Sequence, residues 1–180
     1  MIGIRRALLE DIDALCAAHV EGWRTGYRGL FPDELLDSAA FAESRHAQWA
    51  SAWWLQDARQ ALFAGVLDGR VVGFANVGGE RLNGVAQEFG PGEVYAFYLH
   101  PDAWGSGLAT MLMNAGEAWL REQGRPHAVL WVLRDNPRAR AFYDKAGWAC
   151  TGKETTWAGP QLPGLTLREP VAEVQYGREL

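Results

Sequence analysis

An α/β fold, whose sheet begins antiparallel, contains one parallel crossover and ends in a hairpin, is predicted by three features of the chain. Two apolar runs, 61–67 and 71–77, meet through Asp68-Gly69, a pair suited to a tight turn with positive φ. A nearly continuous apolar strand, 93–99, leads into the turn Trp104-Gly105-Ser106-Gly107 and an amphipathic segment, and residues 128–133 then supply another buried strand. Two further extended segments, 148–157 and 169–176, close the chain as a hairpin, with a Gly/Pro-rich loop from Gly159 to Gly164 between them.

The remaining elements follow in order. Residues 2–6 read as a first strand, after which Glu10-Asp11 opens a helix with Ile12, Leu15, Cys16, His19 and Trp23 on its apolar side. His19 on that side argues for packing rather than ligation. Residues 23–32 break the pattern with two glycines and a proline, yet keep Trp23, Tyr27 and Phe31 in a segment suited to lining a pocket. A helical region at 33–54, in two pieces, sets Trp49 and Trp53 one turn apart. They suit packing against the sheet better than a substrate cage, although they also hint at an aromatic acceptor wall. Residues 78–92 are polar and glycine-rich, as expected of a connector. From Gly107 onward Leu108, Leu112, Ala115 and Trp119 mark a helix that ends near Gly124. Asn136-Pro137 starts another, with Asn as cap and Pro at the first helical position.

A chain of 180 residues, 48% hydrophobic and 22% charged, fits a single domain over 1–180 with a substantial core. Its formal charge of −5 argues against broad nucleic-acid or anionic-membrane binding, so any anion must be caught locally. Cys16 and Cys150 lie among apolar neighbours without metal or redox spacing, which predicts two buried thiols and a reducing, cytoplasmic setting. Neither a membrane span nor a signal peptide is expected. No His/Cys/Asp/Glu cluster has metal-ligand spacing, and no Lys plus Ser/Thr follows the glycine turn as a P-loop would require.

Three stretches, taken in order, resemble the GNAT superfamily of acyl-CoA-dependent N-acetyltransferases, and the resemblance covers most of the chain. Trp104-Gly105-Ser106-Gly107-Leu108-Ala109 is similar to the family's Gln/Arg-x-x-Gly-x-Gly/Ala signature, with Trp104 replacing the usual Gln or Arg. The run from Trp131 to Trp148 resembles the family's strand-Asn-x-x-Ala-x-x-Phe-Tyr-x-x-x-Gly-Phe region, and Trp23-Arg24-Thr25-Gly26-Tyr27-Arg28-Gly29-Leu30-Phe31-Pro32 resembles a Trp-Arg-x-x-Tyr-x-Gly-Leu-x-Pro segment of many bacterial members.

The resemblance implies a mixed, mostly antiparallel sheet of about seven strands, in which 93–99 and 128–134 splay apart to admit the pantetheine arm of acetyl-CoA. The pyrophosphate would rest on the turn's amides. Leu99, Trp104, Gly105, Ser106, Gly107, Leu108, Ala109, Thr110, Asn136, Arg138 and Tyr143 are the coenzyme contacts implied, with Arg134 as a further helper. Tyr143 would protonate the departing thiolate, and Glu93 would take the proton from an ammonium substrate, directly or through water. Glu21, Glu43 and Glu88 are substitutes from the variable side of the pocket. Trp23, Tyr27 and Phe31 would contact the acceptor, a small-molecule or peptide amine. Asn136 serves equally as a helix cap, and the place of His100 just before Pro101 favours a structural or coenzyme-edge role over base catalysis. Homodimers are common in the family, with the last hairpin or the loop at Gly159 to Gly164 as contributing surfaces. The rival readings are a noncatalytic acyl-CoA-binding regulatory protein and an unrelated phosphate-binding module.

Overall fold

The structure, a computed structural model, describes residues 1–160, 162, 167 and 169–180. Its elements are β1 (Ile2–Arg6), α1 (Ile12–Gly26), α2 (Asp33–Leu36), α3 (Ala39–Ala50), β2 (Gln60–Leu67), β3 (Arg70–Gly79), β4 (Arg81–Leu82), β5 (Val85–Ala86), β6 (Gly92–Leu99), α4 (Leu108–Glu122), β7 (His127–Leu133), α5 (Pro137–Lys145), β8 (Ala149–Trp157) and β9 (Val171–Glu179). Seven strands form one sheet in the order β1-β2-β3-β6-β7-β9-β8, and β6 with β7 is its parallel pair. The mixed, mostly antiparallel sheet expected from the chain is therefore present.

Helices cover both faces. Leu15, Val20 and Trp23 of α1 pack with Phe41 and Trp49 of α3 onto Leu62, Ala64 and Phe74. On the opposite face Leu108 and Leu112 of α4 meet Val72 and Ala75, while Met113 and Leu120 join Tyr143 of α5 against Val77, Leu130 and Val174. Phe74 on one face and Ala75 and Val77 on the other follow the alternation of a strand covered on both sides, and Val72 departs from it at a bulge, where the β2 register skips from Gly73 to Val71. Full burial of leucines such as Leu15, Leu108, Leu112 and Leu120 contributes roughly 1.5–3 kcal/mol each. Gly22 lets α1 approach the open end of β6, since a Cβ there would stand 2.9 Å from the Leu99 carbonyl oxygen.

Several expectations change in detail. Residues 78–92 are not a bare connector: β4 and β5 form a small antiparallel ribbon, turned by Asn83 and Gly84, both at positive φ. Asn-Gly is a strong hairpin signal, masked here by strands of two residues each. Cys16 is buried but Cys150 is exposed, because β8 lies at the sheet edge with nearly all its residues open to solvent. The last strand starts at Val171, just past Pro170, rather than at Glu169. The loop expected to join a dimer lies partly outside the described residues, at positions 161, 163 and 164. Among the described residues no helix is long and apolar enough to cross a membrane.

Candidate active site

The site begins with a failure of pairing. β7 meets β6 at only three positions, Gly92 with Ala128, Glu93 with Val129 and Val94 with Leu130, while its other edge pairs with β9 along its full length. On the β3 side the register of β6 jumps from Val77–Val94 to Asn76–Ala96, leaving Tyr95 as an extra residue. A bulge of this kind bends a strand and increases its twist. Tyr95 anchors it by donating its hydroxyl to the Gly79 carbonyl at 2.5 Å. Beyond the bulge β6 and β7 diverge, and a cavity of about 570 Å³ opens between them.

At one end of the cavity the chain turns into α4. His100 accepts the Asp102 amide at 3.3 Å, which gives it the structural place anticipated before Pro101. Gly105 and Gly107 have φ of 78° and 88°, a region that glycine enters without Cβ strain. Ser106 spends its hydroxyl inside the turn, donating to the Ala103 carbonyl at 2.6 Å and accepting the Leu108 amide at 3.3 Å. The amides of Ala109 and Thr110 open the helix, where no preceding carbonyl is in register to receive them. Of the residues expected to meet a coenzyme, Leu99, Trp104, Gly105, Gly107, Ala109, Asn136, Arg138 and Tyr143 line the cavity; Ser106, Leu108 and Thr110 do not. Leu108 sends its side chain into the core and Ser106 spends its hydroxyl within the turn, so these two offer main-chain groups.

Trp104, the departure from the family signature, donates its indole N–H to the Leu99 carbonyl at 3.3 Å, and the Arg138 guanidinium lies over its ring. The ring thus brings a cation from α5 to the start of α4. Arg134 turns to Glu154 and Asp135 instead and does not line the cavity. Asn136 caps α5 by accepting the Ala139 amide at 3.1 Å. Tyr143 is buried on α5 beside Phe142, Trp148 and Tyr176, and burial pushes its phenol well above the ordinary value. Phe142 stacks on Phe97 at 5.5 Å and so ties α5 to the far side of the opening.

The other end is aromatic. Trp23 donates its indole N–H to the Tyr98 hydroxyl at 3.1 Å, and the Tyr27 hydroxyl lies 3.2 Å from the same oxygen. Burial raises both phenols. Trp157 meets Trp23 edge-on at 6.0 Å. Trp23 and Tyr27 line the cavity as anticipated, whereas Phe31 does not: it is stacked behind Trp23 at 5.2 Å. Trp49 and Trp53 lie in the core cluster away from the cavity, which settles their packing role. His19 is likewise a core histidine, set among Trp49, Phe74 and Tyr98 and pushed down to about 3 by burial.

Two carboxylates stand in the wall. Glu93, 5% exposed, is no solvent-facing strand end: its oxygens accept the Arg81 amide at 2.7 Å and the Arg81 guanidinium at 2.8 Å. The second, Glu173 on β9, was not singled out from the chain, nor were Tyr98 and Trp157. Glu21 is engaged by Arg24 at 2.7 Å, and neither it nor Glu43 nor Glu88 reaches the cavity.

Residues 23–148 match the model of the acetyltransferase (GNAT) family. The chain is 31% identical over 137 residues to an uncharacterized N-acetyltransferase, YuaI, of Bacillus subtilis, covering 76% of this chain and 75% of that one. It is 34% identical over 135 residues to a mycothiol acetyltransferase of Rhodococcus jostii, of which the match covers 44%. Among solved structures, the PaiA N-acetyltransferase of Thermoplasma acidophilum in complex with coenzyme A superposes with a TM-score of 0.75 over 100% of this chain and 99% of that one, at 16% identity.

Proposed function

Because the chain belongs to the acetyltransferase (GNAT) family, we propose that it moves the acetyl group of acetyl-CoA to a primary amine by direct attack in a ternary complex. The observation that carries this reading is the wedge between β6 and β7, which opens toward main-chain amides at one end and an aromatic recess at the other. The residues present fit the coenzyme. Gly105, Gly107, Ala109 and Thr110 offer a helix N-terminus to a pyrophosphate, with Ser106 and Leu108 shaping that turn. Leu99, Trp104 and Asn136 flank it, and Arg138 supplies positive charge.

The chemistry that acetyl-CoA supplies when bound is an acetyl thioester, whose C–S bond breaks with its electron pair on sulfur as the amine lone pair forms the C–N bond. Tyr143 donates its phenolic proton at the sulfur position, which keeps a neutral donor in a buried place. The proton that nitrogen sheds on acylation returns to the Tyr143 oxygen, and the ammonium's first proton leaves through the acceptor end to solvent. One proton is released per turnover. Trp23 and Tyr27 hold the acceptor, with Phe31 fixing the Trp23 ring from behind. Glu93, both of whose oxygens are engaged by Arg81, fastens the β4–β5 ribbon to the start of the wedge.

The test is acetyl-CoA-dependent thiol release across amines of several classes, with coenzyme binding followed separately by calorimetry. Release that requires an amine supports the proposal. Firm coenzyme binding with no release from any class would replace it with a noncatalytic acyl-CoA-binding protein.

A further inference from the structure

The charges in the cavity wall are unevenly matched. Its guanidinium and carboxylate groups are those of Arg81, Glu93, Arg138 and Glu173. Arg81 and Glu93 neutralise each other, and Arg138 lies over Trp104 at the coenzyme end. Among the described residues Glu173 has no ion pair and no hydrogen bond to its side chain.

Its place is set by the sheet. Glu173 pairs with Leu133 on one side and Thr155 on the other, and all three line the cavity. Two residues earlier on the same face Val171 pairs with Trp157, the ring that meets Trp23. Glu173 therefore belongs to the α1 face, among the acceptor-end aromatics. The groups that feel its charge are the neutral phenols of Tyr27 on α1 and Tyr98 on β6.

Resting on the acetyltransferase reading, we propose that Glu173 receives the acceptor's ammonium and takes its proton, and that the acceptor is a primary amine on an apolar or aromatic body with no carboxylate beside the nitrogen. A half-buried carboxylate without a partner is stabilised by a cation of the ligand. The surrounding rings favour a flat apolar body and a nearby cation. Among the described residues lining that end no cation would meet a carboxylate next to the amine, since Arg45 of α3, whose charge reaches the Tyr98 phenol, does not line the cavity; a polycation would find one unpaired carboxylate there for its several charges. On proton transfer Glu173 becomes neutral and the amine gains the lone pair that forms the C–N bond; the proton then passes to solvent.

The experiment uses the full chain saturated with coenzyme A. Tryptophan fluorescence, with Trp23 and Trp157 in the wall as reporters, follows titration with 2-phenylethylammonium and with neutral 2-phenylethanol. Thiol release is measured separately with 2-phenylethylamine, phenylalaninamide, phenylalanine and spermidine, for the wild type, Glu173→Gln and Glu93→Gln. We expect the ammonium to bind at least ~10-fold more tightly than the alcohol, from one charge-assisted contact. Glu173→Gln, with an unchanged melting temperature, should abolish that preference while Glu93→Gln keeps it. Phenylalaninamide should outperform phenylalanine. Burial raises the Glu173 carboxyl above its ordinary value, so the KM for the amine should climb as pH falls through that raised value, and Glu173→Gln should flatten the climb. Wild-type ammonium preference in Glu173→Gln, its loss in Glu93→Gln instead, or equal use of phenylalanine would overturn the proposal. Ammonium preference without any thiol release would retire acetyl transfer alone; release insensitive to Glu173→Gln would retire the Glu173 assignment alone.

Discussion

At one end of the cleft the chain presents main-chain amides and one guanidinium; at the other it presents aromatic rings and one carboxylate. The first end depends on the path of the backbone through Gly105 and Gly107, and most side chains there are small or turned inward. The second depends on side chains from α1, β6, β8 and β9, joined by hydrogen bonds and ring contacts at the Tyr98 hydroxyl and Trp23. A phosphate can be held by geometry that tolerates many sequences, whereas an acceptor is chosen by the particular side chains that surround it.

That division can be tested by variants that strike the junction or one end alone. The largest effect should come from Tyr143→Phe, at the junction. Loss of a general acid predicts a fall in kcat of about 10²–10⁴-fold, while calorimetry shows coenzyme affinity unchanged because the buried ring remains. Gly107→Val should strike the coenzyme end. A β-branched residue forced to the positive φ of Gly107 costs roughly 1–3 kcal/mol, read as a lower Tm and weaker coenzyme binding with little change in amine binding. Tyr98→Phe should strike the acceptor end and have the smallest effect. It removes the oxygen that accepts the Trp23 indole N–H, costing about 1 kcal/mol, and should raise the amine KM while sparing coenzyme affinity. If Gly107→Val and Tyr98→Phe each shifted both affinities alike, the two ends would be one energetic unit.

The same contrast explains what could be read from the chain. The glycine turn, the Asn136 cap and the hairpin at Asp68-Gly69 are local devices, written within a few consecutive residues, and each stands where expected. Tyr98, Trp157 and Glu173 reach the cavity through sheet register and α1 packing, between segments far apart in sequence. No periodicity within one segment carries that information. Glu93 illustrates the same limit. Its position at the start of the apolar strand was evident, but its engagement by Arg81 depends on a ribbon whose strands were too short to announce themselves. Trp104 broke a familiar motif, and the compensating cation, Arg138, comes from another helix.

Three residue pairs are all that join β6 to β7 in the sheet. In mechanical terms the molecule has two half-sheets, β1-β2-β3-β6 and β7-β9-β8, meeting at a narrow joint. The glycine turn and Tyr98 follow the first half, while Glu173, Trp157 and Asn136 follow the second, with Tyr143 just beyond on α5. In the proposed transfer, the alignment of a thioester with an amine is then a matter of the angle between two plates. Because a displacement of about 1 Å can cost roughly 10²-fold in rate, substitutions at Gly92, Ala128 or Val129, joint residues outside the cavity wall, should carry as much leverage over turnover as those that line the cleft.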